Sequence, residues 1–349
     1  MTGVLVAGGH DPVAGGNATH ELERLDGREV EFPMSKRMLR VIVSIVCAVS
    51  FGAAASAASA SVVIGVGDSN TAMFSSPQFA ALGVTTARDV IPWDVITRQA
   101  DKGDLANFRA WLSAAQAAHV TPLISFGADF TNPAANYVPT VGQYETAVKA
   151  FLQDFPQIKD YTAWNEPDFS YRTLARNPAL AANYFNALYD LCHGCTVLAG
   201  DVYLPATGTA YIDHAVATLR PWLRAYVKGI HHRPAGWALH DYTEIRAHNT
   251  SQLQILMSMT SGPIWLDETG GVLRRGHWQY RNQSAAAAAK DEQFLLSLTN
   301  RYHRIARIYH YQWQANPVAG WDSGLLAANR SPRPAYTVLL NWIKSHYSG

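Results

Sequence analysis

The sequence predicts a single (β/α)8 barrel, and three observations lead to that fold. Eight apolar runs of strand length follow one another along the chain, and helical patterns separate most of them. Residues 61–349 have the usual size of such a barrel with moderate loops. The main alternative, a doubly wound open sheet, lacks its glycine-rich phosphate motif, because the stretch 66–70 after the first run reads VGDSN.

Strands and helices alternate in chain order. The predicted strands cover residues 62–67, 85–90, 122–126, 161–165, 196–200, 236–240, 264–267 and 306–311. The predicted helices cover residues 104–118, 141–154, 178–191, 211–227, 247–259, 284–299 and 334–345. No internal repeat or long linker interrupts this alternation, so we predict one catalytic domain over residues 61–349.

The N-terminal 60 residues are predicted to lie outside that domain. Residues 34–60 have the three parts of a signal peptide: a basic start, an apolar run at 41–51 and small residues before position 60. A membrane anchor is the alternative, but the apolar run is shorter than the roughly 20 residues that span a bilayer. We therefore expect a secreted protein with no membrane association after cleavage. Residues 1–33 are either an over-extended start upstream of Met34 or a disordered extension.

The composition excludes several partner classes. The chain has 28 basic and 27 acidic residues, a net charge of +1, which disfavours a nucleic-acid or anionic-membrane partner. Its 10 Trp and 16 Tyr suit a carbohydrate cleft, because these rings stack on sugars and hydrogen-bond through their polar edges. The histidines lack the spacing of known zinc motifs, so we predict neither a catalytic metal nor a cofactor.

Two cysteines, Cys192 and Cys195, remain after the leader. In a cytosolic protein their spacing would suggest redox work or half of a metal site. No second pair accompanies them and the chain carries an export signal, so we predict a local disulfide between a helix and the following strand.

Two of the apolar runs lead directly to a glutamate. Glu166 follows the run 161–165 and precedes Pro167, which cannot continue a central strand, and Glu268 follows the run 264–267. In this fold the active site forms at the carboxyl ends of the strands. A lone glutamate there can equally cap a helix, but a pair can supply the acid and the nucleophile of glycoside hydrolysis. The other predicted rim residues are Asp68, Asn70, Arg88, Asp129, Asn165, Asp201, His240, Tyr242 and Trp313.

The stretches WNEP at 164–167 and LDETG at 266–270 resemble the clan of retaining glycoside hydrolases with catalytic glutamates on strands four and seven, notably families 39 and 5. The resemblance implies that Glu166 is the acid/base and Glu268 the nucleophile. It further implies substrate-site roles for the residues that match the family pattern. These are Asn165 at the sugar 2-hydroxyl, Arg88 and Tyr242 beside the nucleophile, His240 in the His-x-Tyr element, and Trp313 as the floor of the sugar subsite.

Some of these assignments have alternatives. Arg88 can instead form a structural ion pair inside the barrel, and Trp313 can instead belong to the core. The stretch 123–126, LISF, lacks the histidine that family 5 members often carry near the end of strand three.

We therefore expect a monomeric, secreted retaining glycoside hydrolase that acts on a polysaccharide or oligosaccharide. Two alternatives remain open. A transglycosylase would use the same residues, and a non-catalytic carbohydrate-binding barrel would have no physical need for both glutamates.

Overall fold

A computed structural model describes residues 61–98, 103–128, 138–169, 173–203, 210–275, 283–317 and 320–347. All of them fall within one compact unit, Ala57–Gly349. The predicted signal peptide at 34–60 and the segment 1–33 lie outside the described residues, as does Asp129. In the described part of the chain, no helix combines the length and the apolarity that crossing a membrane requires.

Eight parallel strands close into a barrel, as predicted. They are β1 (Val63–Gly67), β2 (Thr86–Pro92), β3 (Thr121–Gly127), β4 (Asp160–Thr162), β5 (Thr196–Tyr203), β6 (Gly236–His240), β7 (Ile264–Thr269) and β8 (Ile305–Tyr311). β1 pairs with both β2 and β8, which closes the ring.

Helices follow most strands and cover the outside of the barrel. They are α1 (Pro77–Leu82), α2 (Gly103–Ala117), α3 (Val141–Asp154), α4 (Pro178–Leu191), α5 (Ala210–Gly229), α6 (Tyr242–Ala247), α7 (Ser251–Met259), α8 (Ala285–Arg301) and α9 (Pro334–Tyr347). Two-residue strands, Arg274–Arg275 and Trp321–Asp322, pair antiparallel above the barrel strands.

Local sequence explains several helix starts. Thr140 and Gln143 form a reciprocal capping box at the start of α3. Asn177 accepts a hydrogen bond from the amide of Leu180 at the start of α4, where Pro178 occupies the first turn. These polar caps set where the two helices begin, at the ends of the loops that arrive from the strands.

The barrel interior is built in layers. Its lower layer is an apolar cluster separate from the main core: Leu123, Leu198, Ala238, Trp265 and Tyr309. Because side chains two residues apart on a strand share a face, the next residues upward also point inward. In four of the five strands that form the apolar layer these residues are polar, namely Ser125, His240, Asp267 and Tyr311. The candidate site therefore lies directly on this layer.

The structure corrects some predicted boundaries. β4 ends at Thr162, so Glu166 lies four residues past the strand rather than at its end. Glu268 lies inside β7, one residue before its end. The predicted helix 247–259 begins only at Ser251, as α7, because His248 adopts a left-handed conformation that ends the preceding helix α6. Neither α1 nor α6 was predicted.

Cys192 and Cys195 lie at disulfide distance, with their Cα atoms 5.6 Å apart. Cys192 caps the C-terminus of α4 and Cys195 directly precedes β5. The pair therefore closes the helix-to-strand turn, where the sequence placed it.

Candidate active site

Arg88 is the centre of the site. It projects from β2 into the barrel and is fully buried. Its Nε donates to Ser125 Oγ at 2.9 Å, and its Nη2 donates to Asn165 Oδ1 at 2.8 Å. Nη1 donates to Glu268 Oε2 at 2.5 Å, and Nη2 lies 3.1 Å from Asp201 Oδ1. One guanidinium thus connects side chains from β2, β3, β5 and β7 with the loop after β4.

The charge of Arg88 is secured by its neighbours. Burial opposes the charge, but the carboxylates of Asp201, Asp267 and Glu268 raise the pKa of Arg88 well above its ordinary value. Arg88 is therefore a permanent cation beside Glu268. Arg88 therefore fits both interpretations of the sequence. It forms a buried ion pair, and one partner in that pair is Glu268, the predicted nucleophile.

Glu268 is held on both oxygens. Arg88 binds Oε2, and the hydroxyl of Tyr242 donates to Oε1 at 3.1 Å. Tyr242 stands in the first turn of α6, directly after β6, so its ring reaches across to β7. A carboxylate with a cation on one oxygen and a hydroxyl donor on the other is oriented and stabilised as an anion.

Glu166 is held by its backbone and by His240. Its φ of 49° is left-handed, a region that residues with a Cβ rarely adopt. Its amide donates to the carbonyl of Asp201 at 2.9 Å, and Oε1 lies 3.2 Å from His240 Nδ1. Asn165, beside it, donates its amide to the carbonyl of Phe126. The loop after β4 is therefore fixed on both sides of the glutamate.

The two glutamates face one another. One carboxylate oxygen of Glu166 lies within 4.8 Å of one carboxylate oxygen of Glu268, and His240 Nδ1 lies 3.2 Å from Glu166 Oε1 and 3.9 Å from Glu268 Oε2. The side chain of Glu166 is 14% exposed and that of Glu268 is 12% exposed, so both reach the surface of the site. Two carboxyl groups at this separation suit a double displacement better than an inversion, which needs room for a water.

Two buried aspartates lie beneath the glutamates. Asp201 accepts from His240 Nε2 at 2.9 Å, and Asp267 lies 3.3 Å from Arg88 Nε. Burial opposes the charge of Asp201, but Arg88 and His240 hold its pKa well below the usual range. Burial and the neighbouring Asp201 raise the pKa of Asp267 well above its usual value. Of the two aspartates, Asp201 is therefore the one that stays ionised, and Asp267 is the one that favours the protonated form.

A cavity of about 180 Å³ opens beside the glutamates. It is lined by Gly67, Asp68, Ser69, Arg88, Asp89, Val90, Asn165, Glu166, Glu268 and Tyr311. Burial raises the pKa of Asp68 to about 6 and that of Asp89 to about 7. The cavity wall is thus polar and rich in acceptors.

The structure overturns the assignment of Trp313 as the floor of the sugar subsite. Trp313 is 1% exposed, and its ring packs edge-on against Phe79 at 5.6 Å and near Tyr336 at 6.4 Å. It lies two residues past the end of β8, where the chain has turned outward to α1 and α9. The aromatic residue that lines the cavity is Tyr311, the last residue of β8.

The remaining rim residues have structural contacts. Asp68 accepts from the amides of Asn70, Trp313 and Gln314, which ties the end of β1 to the chain after β8. Asn70 caps the short 3-10 helix Thr71–Met73. Both act on the backbone, as helix-capping residues do.

Several site residues were not assigned by sequence reasoning. Asp267, Asp89 and Tyr311 were not singled out, and Asp201 was given no role. The signal was available for Asp267 and Tyr311, because each follows an interior apolar residue by two positions on its strand. Asp89 and Asp201 carried no such signal.

Two groups in the described chain have donor atoms close enough for a metal: Glu166, His240 and Glu268, and Asp201, His240 and Asp267. Both groups surround the guanidinium of Arg88, which already binds Glu268 and Asp201. A second cation would meet that charge at contact distance, so the donor set does not fit a metal.

Several solved structures that resemble this fold are of glycoside hydrolases. A family 39 glycoside hydrolase from Bacteroides cellulosilyticus WH2 matches with a TM-score of 0.52 and 15% identity, covering 82% of this chain and 64% of its own. GH5_18 from Streptomyces cattleya, bound to GlcNAc, matches with a TM-score of 0.57 and 17% identity, covering 81% and 80%. Native xylanase 10B from Thermotoga maritima gives a TM-score of 0.56 and 10% identity, covering 82% and 96%. No curated protein matches the chain in sequence.

The fold and the paired carboxylates define an enzyme of the barrel glycosidase class. A family model described as the glycosyl hydrolase catalytic core matches residues 124–331, which include both glutamates. The chain belongs to that family and is a glycoside hydrolase.

Proposed function

We propose that the protein is a secreted retaining glycoside hydrolase with Glu268 as nucleophile and Glu166 as acid/base. The observation that supports the two roles is the set of contacts around Glu268. Its carboxylate contacts a permanent cation, Arg88, on one oxygen and a hydroxyl donor, Tyr242, on the other, while Glu166 faces it beside His240. A nucleophile must be ionised in the resting enzyme, and the contacts of Glu268 favour that state.

The first half of the reaction uses both residues at once. Glu268 attacks the anomeric carbon as Glu166 protonates the departing glycosidic oxygen, whose bond electrons leave with it. In the second half, Glu166 takes a proton from water and the hydroxyl displaces Glu268. Arg88 stabilises Glu268 as the carboxylate at the start and at the end of the cycle.

The remaining polar groups serve the sugar. The amide of Asn165 lines the cavity, and its Oδ1 is fixed by Arg88, so its NH₂ group is the part free to meet a sugar hydroxyl. Tyr311 offers an aromatic surface at the same cavity. A polysaccharide or oligosaccharide is the substrate class that this cavity suits, and the leader at 34–60 is the basis for proposing secretion.

The test is hydrolysis of a glycan panel by the 61–349 protein, with the anomeric configuration of the first product followed by NMR. Glu166→Gln and Glu268→Gln are the active-site variants, and Glu145→Gln, on the exposed face of α3, is the matched control. We expect product with retained configuration and a fall of about 10²- to 10⁴-fold in kcat for both site variants only.

Inversion of configuration would contradict the role of Glu268. Full activity in either site variant would contradict that residue's assignment. Elongated products in place of hydrolysis would show that a sugar rather than water takes the second step.

A further inference from the structure

Asp201 is linked to Glu166 by hydrogen bonds in two ways, one direct and one through His240. Its carbonyl accepts the amide of Glu166 at 2.9 Å, and its carboxylate binds His240 Nε2 at 2.9 Å, while His240 Nδ1 lies 3.2 Å from Glu166 Oε1. Asp201 itself has a φ of 58°, so two left-handed residues are joined by one hydrogen bond. An aspartate two residues before the end of β5 therefore holds both the backbone amide and the side-chain partner of Glu166.

The carboxylate of Asp201 is built to stay ionised. It is fully buried, and Oδ1 also lies 3.1 Å from Arg88 Nη2. Thr162 Oγ1 lies 2.7 Å from Oδ2, and since a carboxylate only accepts, the threonine donates. A buried anion with three donors is a fixed acceptor for the Nε2–H of His240.

His240 in turn is surrounded by charged groups. Those that face it are Asp201, Glu166, Asp267, Glu268 and Arg88. Burial opposes its charge, but Glu268 and Asp201 raise the pKa of His240 well above its usual value. The ring is then an imidazolium whose Nδ1–H points at Glu166 Oε1.

We propose that Asp201 is a positioning residue for the acid/base: by holding Nε2–H of His240, it turns Nδ1–H toward Glu166 Oε1. The inference rests on the proposed role of Glu166. Glu166 gives its proton to the glycosidic oxygen, and the carboxylate that remains keeps its hydrogen bond from His240. In the second half, water returns one proton to Glu166, so the ring gains and loses none.

The first arm of the test needs no activity. Nitrogen-15 NMR of the imidazole rings reports the protonated nitrogens of His240 and the pH at which the ring titrates. In Asp201→Asn the titration of His240 moves to lower pH, because a neutral amide stabilises an imidazolium less than a carboxylate does. The matched control is Asp190→Asn, which removes the carboxylate 2.9 Å from His232 in an exposed pair and leaves His240 unchanged.

The second arm is the pH profile of kcat/KM on any glycan that the wild type hydrolyses. In Asp201→Asn we expect kcat to fall about 10- to 100-fold, with a KM change of less than about threefold. The basic limb moves to higher pH, because the lost imidazolium charge lies nearer to Glu166 than the lost carboxylate. Thr162→Val keeps the carboxylate and therefore the imidazolium, so its basic limb stays close to that of the wild type.

The outcomes separate this inference from the proposed function. An unchanged titration of His240, or a basic limb that stays in place while kcat falls, overturns the positioning role. A wild-type enzyme without retaining turnover overturns the proposed function, whatever the NMR arm shows. If Asp201→Asn fails to fold, Thr162→Val carries the NMR arm. A carboxylate that has lost its threonine donor attracts the imidazolium more strongly, so the titration of His240 moves to higher pH, and an unmoved titration there overturns the inference.

Discussion

Arg88 Nη1 lies 2.5 Å from Glu268 Oε2, so a buried cation on β2 reaches across the barrel to the carboxylate on β7. The same guanidinium binds Ser125, Asn165 and Asp201. The planar fork of arginine makes this possible, because its five N–H donors point in fixed directions. One side chain thus contributes to the orientation of both Glu268 and the loop that carries Glu166.

Arg88→Lys should therefore be far from conservative. Lysine keeps the charge but cannot bind four groups with fixed geometry, and the buried acceptors that lose a donor become costly. We expect kcat/KM to fall by at least about 100-fold and unfolding free energy to fall by about 2–4 kcal/mol. Arg109→Lys, at an exposed pair with Asp154, is the control for both measurements. An Arg88→Lys enzyme with wild-type kcat/KM would show that the fork is dispensable.

Tyr242→Phe tests the second contact of Glu268. The variant removes only the hydroxyl that donates to Oε1, and a hydrogen bond to a charged group contributes about 1.5–3 kcal/mol. We expect kcat to fall about 10- to 100-fold with KM nearly unchanged. The control is Tyr184→Phe, which removes a buried hydroxyl bound to the carbonyl of Pro139, away from the site. Equal kinetic losses in both variants would mean that the effect is general destabilisation.

The barrel could be predicted from the sequence because its signals are local and repeated. α3 and α4 begin and end where their apolar spacing and caps indicate, since Thr140, Asn177 and Pro178 mark the starts. β4 was predicted too long, because the aromatic run 161–165 continues past the last ladder residue, Thr162. The run is buried by packing on the helices, which apolar periodicity alone does not distinguish from strand pairing.

The positions of the two facing glutamates could be predicted from the sequence, but the residues that hold them only in part. Glu166 and Glu268 follow apolar runs, a pattern readable along the chain. The contacts of Asp201 join residues 35 or more positions apart, and nothing local marks them. Trp313 was misplaced because the chain turns after β8, so a residue two positions past the strand faces α1 and α9 instead of the cavity.

Glu166 carries backbone strain that substitution can release. A left-handed φ costs a residue with a Cβ about 1–2 kcal/mol, and glycine avoids that cost. Glu166→Gly and Glu166→Ala both remove the carboxylate, so they differ mainly in backbone freedom. We expect urea unfolding to give the glycine variant the larger unfolding free energy, by about 1 kcal/mol. We expect both variants to be inactive. At Glu145 within α3 the order should reverse, because glycine disfavours a helix. The same order at both positions would contradict the strain.

Burial of Asp241, next to the site, makes the stability of the folded protein depend on pH. It is 1% exposed, and among the described residues its carboxylate has no hydrogen bond of normal geometry, although Thr269 lies beside it. Burial raises the pKa of Asp241 to about 7. In the unfolded chain an aspartate titrates near pH ~4, so between about pH 4 and 7 the folded state holds a proton that the unfolded state has lost. The stability that this proton supplies is present below pH ~4 and is lost as pH rises to about 7.

Asp241→Asn removes that dependence, since the amide has nothing to titrate. The unfolding free energy of the variant should exceed that of wild type by an amount that grows from about pH 4 to about pH 7 and then stays constant, on the order of 2–4 kcal/mol in all. Urea unfolding at pH 4, 5.5, 7 and 8.5 measures it, with Glu145→Gln as the control for loss of one carboxylate. A difference that is flat across this range, or that shrinks as pH rises, would mean that Asp241 is already ionised in the folded protein, with a compensating donor.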